Sequence, residues 1–325
     1  MSPTFKARDG LREVRMGTRG SPLARWQASW VGERLREHFP HLRVDYVIIK
    51  TSGDKILDVP LAQVGGKGLF VKEIEDALLD HRVDMAVHSV KDIPGELPDG
   101  LQITALPPRE DPRDILISRE GKPLEALRRG ARVGTSSLRR KAQLLHLRPD
   151  LRIVPLRGNL DTRIKKLETE DLDGVVLAAA GVRRMGLAAR ITEIFPVDAF
   201  VPAIGQGVLG IETRVGDEEV IGMVRCLDDP STRVCVEAER AFLRRLEGGC
   251  QVPIGGIGEV QGGSLRLRGM VAGLQGTPMF RDELVGPLDR AAETGVALAD
   301  RLLDRGAKAV LDAVYGEATS LPVPP

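Results

Sequence analysis

The sequence predicts an α/β protein: two open-sheet domains followed by a small α+β C-terminal domain. Three observations carry this. Short apolar strands alternate with amphipathic helical stretches across residues 14–178, the pattern of βα units feeding a mostly parallel sheet. The alternation is interrupted by Pro107-Pro108-Arg109-Glu110-Asp111-Pro112, where three prolines in six residues stop regular structure and mark a hinge. Beyond Thr232 the pattern changes to a long helix, glycine-punctuated β segments and a further helix.

The elements follow in order. Residues 14–17 read as a strand. Ser21 and Pro22 then form an N-cap with proline at the first helical position. Leu23, Trp26, Trp30, Val31 and Leu35 recur at helical spacing as one apolar face. Residues 44–49 read as a strand, 71–79 as a helix with Lys72 and Glu75 on its outer side, and 83–87 as a strand running into His88-Ser89-Val90-Lys91-Asp92. Past the hinge come strands at 115–118, 132–134, 152–156 and 175–178, with helices opening at Ser137 and Leu160. Residues 200–207, with Pro202, Gly205 and Gly207, form a second crossing, and 208–212 return as a strand to the first domain. The last third holds a helix at 232–246 closed by Gly248-Gly249. It continues with β segments broken at Gly262-Gly263 and Gly276-Thr277-Pro278, a helix at 290–303, and a tail at 319–325 that frays. The domains are therefore 11–107 with 208–228, then 113–201, then 229–319.

Composition excludes several function classes. The 325 residues are 42% apolar, enough for several cores. Charged residues make up 29%, yet the net charge is only +1, so the chain carries no electrostatic footprint for nucleic acid. Aromatic residues, at 3%, are too few for base-stacking platforms. The N-terminal stretch lacks the apolar core of a secretory signal, and the longest apolar run, at 175–182, is too short to span a bilayer. A cytoplasmic protein with no membrane partner is expected. The three cysteines form no CxxC pair, which argues against a disulfide framework or a thiolate zinc site. Cys226 and Cys235 read as inert core thiols. No HExxH occurs among the five histidines, and no metal is expected.

Two glycine motifs fail on context. Gly205-Gln206-Gly207-Val208-Leu209-Gly210 matches GxGxxG, but a proline-containing connection precedes it and a β-rich run follows. In Gly65-Gly66-Lys67-Gly68 the lysine is followed by glycine rather than Ser or Thr, which reads as a glycine-rich lid and not a phosphate loop.

The arginines are more informative. Arg19, Arg139, Arg140, Arg157, Arg163 and Arg184 each lie just past the carboxyl end of a strand or in the first helical turn there. Open α/β sheets bind ligands at those ends, where helix N-termini also favour anions. Any one of these arginines could be a solvated surface charge. Together they indicate a cleft for a poly-anionic small ligand, because the planar guanidinium fork suits carboxylates. Asp92 faces the same cleft; it either stabilises a developing cation or moves a proton, or it caps the turn beside Pro94. Cys250, between Leu246-Glu247-Gly248-Gly249 and Gln251-Val252-Pro253, sits on an exposed loop and suits a nucleophilic or attachment role.

Taken together, these blocks resemble the hydroxymethylbilane synthase (porphobilinogen deaminase) family. The matching segments are Thr18-Arg19-Gly20-Ser21-Pro22-Leu23-Ala24, Gly65-Gly66-Lys67-Gly68-Leu69-Phe70, Ala86-Val87-His88-Ser89-Val90-Lys91-Asp92, Gly134-Thr135-Ser136-Ser137-Leu138-Arg139-Arg140, Leu156-Arg157-Gly158-Asn159, Gly205-Gln206-Gly207 and Leu246-Glu247-Gly248-Gly249-Cys250. They run in the family's order over residues 15–256.

The resemblance implies two domains like type II periplasmic binding proteins, with a cleft between them, and a third that carries the cofactor cysteine. It implies a covalent dipyrromethane on Cys250, porphobilinogen as substrate, and a monomer. It makes Asp92 catalytic and gives the six arginines the acetate and propionate groups. Ser21, Lys91, Thr135, Ser136 and Ser137 become supporting contacts, and Lys67 and Phe70 fall on a flexible loop. Gln63 departs from the family, where a lysine is common. Two other classes remain: a non-catalytic anion-binding protein of the same two-domain fold, which needs neither Cys250 nor a third domain, and a nucleotide-dependent enzyme using Gly205 to Gly210.

Overall fold

The computed structural model describes residues 13–55, 68–247 and 252–319. Its first sheet is built from β1 (Glu13–Thr18), β2 (Arg43–Ile48), β3 (Met85–Ser89), β4 (Leu101–Ala105) and β10 (Leu209–Arg214), in the order β2-β1-β3-β10-β4. Strands β2, β1 and β3 are parallel, and β10 runs antiparallel between β3 and β4. The second sheet has the order β7-β6-β8-β5-β9, from β5 (Asp114–Ser118), β6 (Arg132–Gly134), β7 (Arg152–Val154), β8 (Gly174–Ala178) and β9 (Glu193–Ile194). It repeats the plan of the first: β7, β6 and β8 are parallel, and β5 is antiparallel beside β8. In each sheet the antiparallel strand is the one that arrives from the other lobe. Strands β5 and β8 are buried along their whole length, as expected of strands covered on both faces.

The third unit is an antiparallel meander of β11 (Ile254–Gln261), β12 (Ser264–Ala272) and β13 (Met279–Pro287). Gly262 and Gly263 turn the first hairpin with φ of 55° and 79°, the double positive φ that a type I′ turn requires. Helices Pro230–Arg245 and Ala291–Leu302 pack on this sheet around Phe242, Leu265, Leu267, Leu298 and Leu302. Helix Pro230–Arg245 starts two residues earlier than its apolar pattern predicts. Asp229 caps it by accepting from Thr232 N at 2.7 Å, and Pro230 needs no donor at the first position.

Several expectations are corrected. Helix Pro22–His38 buries Gln27, Ala28, Val31, Gly32 and Leu35, while Leu23, Trp26 and Trp30 are only half-buried. The helix is rotated so that Trp26 lies toward Arg184 of the second lobe. Glu75, expected outside, is buried in helix Lys72–Leu79. Cys226 is exposed rather than in the core, whereas Cys235 is buried as expected. Strand β4, with its weak alternation, is not evident in the sequence pattern. No described helix is long and apolar enough to cross a membrane.

Gly295 lets helices Pro230–Arg245 and Ala291–Leu302 touch: a Cβ there would lie 2.2 Å from the Ala238 carbonyl oxygen. Gly295→Ala must push the helices apart and should lower unfolding stability by about 1–3 kcal/mol, read from the urea midpoint. An unchanged midpoint would mean the contact is loose.

Candidate active site

The residues that follow β1, β3, β6 and β8 converge from both lobes. Arg19 follows β1, and Lys91 and Asp92 form the single turn after β3. Thr135, Ser136 and Ser137 follow β6, and Arg184 ends the helix after β8. The turn at Lys91 and Asp92 interacts electrostatically with Arg139, Arg140, Asp114 and Arg163 of the second lobe. Arg184 reaches the other way, donating to the Gly207 carbonyl at 2.7 Å, with its guanidinium 6.0 Å from the Trp26 ring centroid.

The cleft is rich in half-buried cations. Burial pushes Lys91 down to about 8, with Arg140 and Arg139 acting the same way and Asp92 and Asp114 opposing. Burial likewise pushes Arg163 down to about 10, reinforced by Arg140 and Arg157 and opposed by Asp92. Arg184 also falls to about 10 through burial, with Glu110 opposing. Charged forms that are disfavoured in this way gain when an anion arrives. Lys91 and Arg163 thus stand where a carboxylate would relieve them.

Arg139 and Arg140 depart from the sequence expectation. Both are buried, and both engage Asp114: Arg139 Nη1 donates to it at 2.6 Å, and Arg140 donates through Nε at 2.9 Å and Nη2 at 2.7 Å. Burial alone would raise the Asp114 carboxyl, but the two guanidiniums hold it far below the usual carboxylate range. Arg139 also donates to the Val201 carbonyl and Arg140 to that of Val176. One carboxylate against two guanidiniums leaves a buried group of net charge +1, so the pair contributes field to the cleft while acting as an internal brace.

The hydroxyls are similarly committed to local structure. Ser21 and Ser137 cap helices Pro22–His38 and Leu138–Leu147. Thr135 Oγ1 accepts from Ser137 N, and Ser136 donates to the Leu156 carbonyl while accepting from Leu156 N. Arg163 donates from Nε to the Gly158 carbonyl at 2.8 Å. Arg157 is held below its ordinary value by burial. Arg19 pairs with Asp54 and lies 4.2 Å over the Phe70 ring. Asp92 is half-buried at the end of a 3₁₀ turn. Lys67, Gln63 and Cys250 lie outside the described residues.

The GxGxxG segment is not a dinucleotide site. Gly205 and Gly207 adopt φ of 68° and 87° in a tight crossing, and strand β10 follows instead of a helix. Sequence reasoning missed three groups: Asp114, the buried carboxylate Glu239, and a buried cluster under β3. In that cluster His88 Nε2 lies 2.9 Å from Glu212 Oε2, with Glu75 alongside. For Asp114, His88 and Glu212 the one sequence signal is a titratable residue in a largely apolar strand, whereas Glu239 and Glu75 lie in helices rich in charge and carry no such signal.

Two family models match in tandem. Porphobilinogen deaminase, dipyromethane cofactor binding domain, covers residues 14–222, and porphobilinogen deaminase, C-terminal domain, covers 233–304. The chain belongs to the porphobilinogen deaminase family. A relative named porphobilinogen deaminase from Pelobacter propionicus is 54% identical over 304 residues, spanning 94% of this chain and 98% of its own. Those of Syntrophotalea carbinolica and Geotalea daltonii are 54% and 52% identical, over 96% and 95% of this chain and 98% and 97% of their own. The chain is accordingly a transferase of tetrapyrrole biosynthesis with a dipyrromethane cofactor. The desolvated cations of the cleft fit that group, whose carboxylates would offset their desolvation.

The Glu75 cluster makes stability depend on pH. Burial first, and then Glu212, pushes the Glu75 carboxyl from 4.5 up to about 7, against an opposing His88. Between those values the folded state keeps a proton that the unfolded chain has lost. The contribution is therefore full below the unfolded value and is lost as pH rises through the folded one. Glu75→Gln carries no such charge. From pH 4 to pH 8 its stability relative to wild type should improve by on the order of 2–3 kcal/mol. A pH-independent gap in denaturant titrations would contradict this.

Proposed function

We propose that this chain condenses four porphobilinogen molecules in turn on a dipyrromethane joined by a thioether to Cys250, losing one ammonia per addition and ending with hydrolytic release of hydroxymethylbilane. The observation that carries this reading is the Asp92 carboxylate, held between lobes among Lys91, Arg140 and Arg163.

The chemistry follows from that arrangement. Loss of ammonia from porphobilinogen leaves a cationic methylene pyrrole whose charge is shared with the ring N–H. A fixed carboxylate beside that N–H stabilises the cation and can take its proton. When bound, the dipyrromethane supplies the pyrrole carbon at which the chain grows. Arg19, Arg157, Arg163, Arg184 and Lys91 hold the acetate and propionate groups, and Arg139 and Arg140 support them from behind Asp114. Ser21, Thr135, Ser136 and Ser137 keep the strand-end turns in shape beneath these groups. Lys67 and Phe70 are assigned to the site on the family's motif, and the place of Phe70 under Arg19 supports this for Phe70. The domain boundaries given above, a monomeric state, a cytoplasmic setting and the absence of nucleic-acid or membrane partners complete the proposal.

The intact mass of the purified protein should exceed that of its chain by one dipyrromethane. Cys250→Ser should lack the extra mass and be inactive; an unmodified, fully active wild type would refute the attachment.

Asp92→Asn keeps the shape and removes the charge. It should bind substrate yet turn over about 10²–10³-fold more slowly, at an unchanged melting temperature. Asp92→Glu should keep a small residual rate. Near-normal hydroxymethylbilane formation by Asp92→Asn would sink the catalytic assignment.

A further inference from the structure

The turn that bears Asp92 is held from outside its own lobe. Helix Pro230–Arg245 of the C-terminal unit runs across it, and Val236 of that helix packs in one apolar cluster with Val90 and Ile93, the residues flanking Lys91-Asp92. One helical turn further on, Arg240 is 8% exposed and donates from Nη2 to the carbonyls of Pro94 at 2.7 Å and Gly95 at 3.0 Å. The Arg244 stem lies over the same loop, because a Cβ on Gly95 would meet its Cγ at 3.4 Å. Arg233, Val236 and Arg240 fall on one face of the helix at i, i+3 and i+7. The three nevertheless have different targets. Arg233 donates to the Thr104 carbonyl at the end of β4, away from the turn. Arg240 alone of the three holds the backbone just past Asp92.

The contact carries a cost. A guanidinium taken out of water in exchange for neutral carbonyls loses solvation that a carboxylate partner would have returned. Burial accordingly pushes Arg240 down to about 10, with Arg244 acting the same way and Glu212 opposing. An apolar side chain would dock the helix on this loop without that cost. What the guanidinium adds is direction: two hydrogen bonds fix where the backbone leaves the turn. The same helix ends five residues before Cys250. One rigid rod therefore connects the position of the Asp92 turn to the segment that leads to the attachment cysteine.

We propose that Arg240 is a positioning residue for Asp92: it holds the turn through the Pro94 and Gly95 carbonyls and so sets the carboxylate relative to the arm that begins at the end of helix Pro230–Arg245. The proposal rests on the catalytic reading of Asp92 given above and adds the means by which the C-terminal unit enters catalysis. Arg240 touches no reacting atom in this account and acts through the turn alone.

The test uses holoenzyme, with cofactor loading checked by intact mass. Arg240→Leu and the milder Arg240→Gln should lose turnover by about 10–100-fold, the size expected for a misplaced group. KM should stay within about threefold of wild type, because the carboxylate-binding arginines are untouched. Arg240→Lys, which keeps the charge and one donor direction, should recover part of the rate. Arg233→Leu breaks another contact of the same helix with the first lobe, to the Thr104 carbonyl, together with its ion pair to Asp228. It should lower the melting temperature while leaving kcat unchanged. In an Asp92→Glu background, where the carboxylate is already displaced, Arg240→Gln should cost less than about threefold more. A wild-type kcat in both Arg240→Leu and Arg240→Gln overturns the proposal. So does an equal kcat loss in Arg233→Leu, or full additivity with Asp92→Glu. If Asp92→Asn itself turns over normally, the catalytic reading fails and this proposal falls with it. If Asp92→Asn is crippled and the Arg240 variants are normal, the positioning role alone is wrong.

Discussion

One carboxylate with no exposed surface holds three parts of the chain together. Glu239, in helix Pro230–Arg245, accepts from Arg109 Nη2 at 2.6 Å, from Gly205 N at 2.7 Å and from Gly258 N at 2.8 Å. Arg109 belongs to the first crossing between lobes, Gly205 to the second, and Gly258 to β11 of the C-terminal sheet. A buried carboxylate is tolerated only when its lone pairs and charge are met, and here no single part of the chain could meet them. The C-terminal unit is therefore fastened to both connections at the point where they pass each other. The Arg109 guanidinium extends the link by donating from Nη1 to the Gln206 carbonyl.

A second buried carboxylate mirrors this on the far side of the crossings. Asp114 opens β5 and receives Arg139, Arg140 and the Gln206 side-chain amide. Glu239 meets Gly205 and Asp114 meets Gln206, so consecutive residues of one crossing are bound to the C-terminal unit and to the second lobe. This arrangement also explains how a chain of net charge +1 presents a basic cleft. Carboxylates such as Asp114 are consumed inside the protein, each by more than one donor. Cations such as Lys91, Arg163 and Arg184 stand half-buried where the two lobes meet. The balance is global, whereas the field that a ligand meets is local.

The sequence made the architecture legible where its signals are local. Proline clusters marked the first crossing, period-two and period-3.6 patterns marked most strands and helices, and glycine pairs marked hairpins. The clustering of arginines after strands pointed to the end of both sheets at which Arg163, Arg184 and Lys91 are found half-buried. Long-range charge pairing was not legible. Arg139 and Arg140 read as ligand-facing because the sequence holds no trace that Asp114, some 25 residues earlier, would fold between them. Glu75 read as solvated because its neighbours on the helix surface are polar, and only the packing of β3 and β10 over it shows otherwise. The face of helix Pro22–His38 was misjudged for a related reason. Trp26 and Trp30 outweigh Gln27 on any hydropathy count, yet Gln27 is buried while Trp30 packs only partly against the core and Trp26 lies toward Arg184 of the other lobe.

The geometry of the second crossing links these facts to catalysis. Val90 N donates to the Val208 carbonyl, and Glu110 N donates to the Gly207 carbonyl. A Cβ on Gly205 would lie 2.4 Å from Val90 Cγ1 and 3.2 Å from the Lys91 backbone nitrogen, and one on Gly207 would lie 2.3 Å from the Glu110 carbonyl oxygen. With positive φ at both positions, only glycine lets the crossing lie this close. The connection between lobes therefore rests directly against the start of the Asp92 turn, and Arg240 holds that turn at its other end. A lobe rotation that bends residues 205–208 must press on Val90, whereas the carbonyls of Pro94 and Gly95 are fixed to a helix that Glu239 ties to the same crossing. The backbone that joins the lobes and the backbone that presents Asp92 are thus in van der Waals contact, so the placement of the carboxylate depends on the course of the crossing.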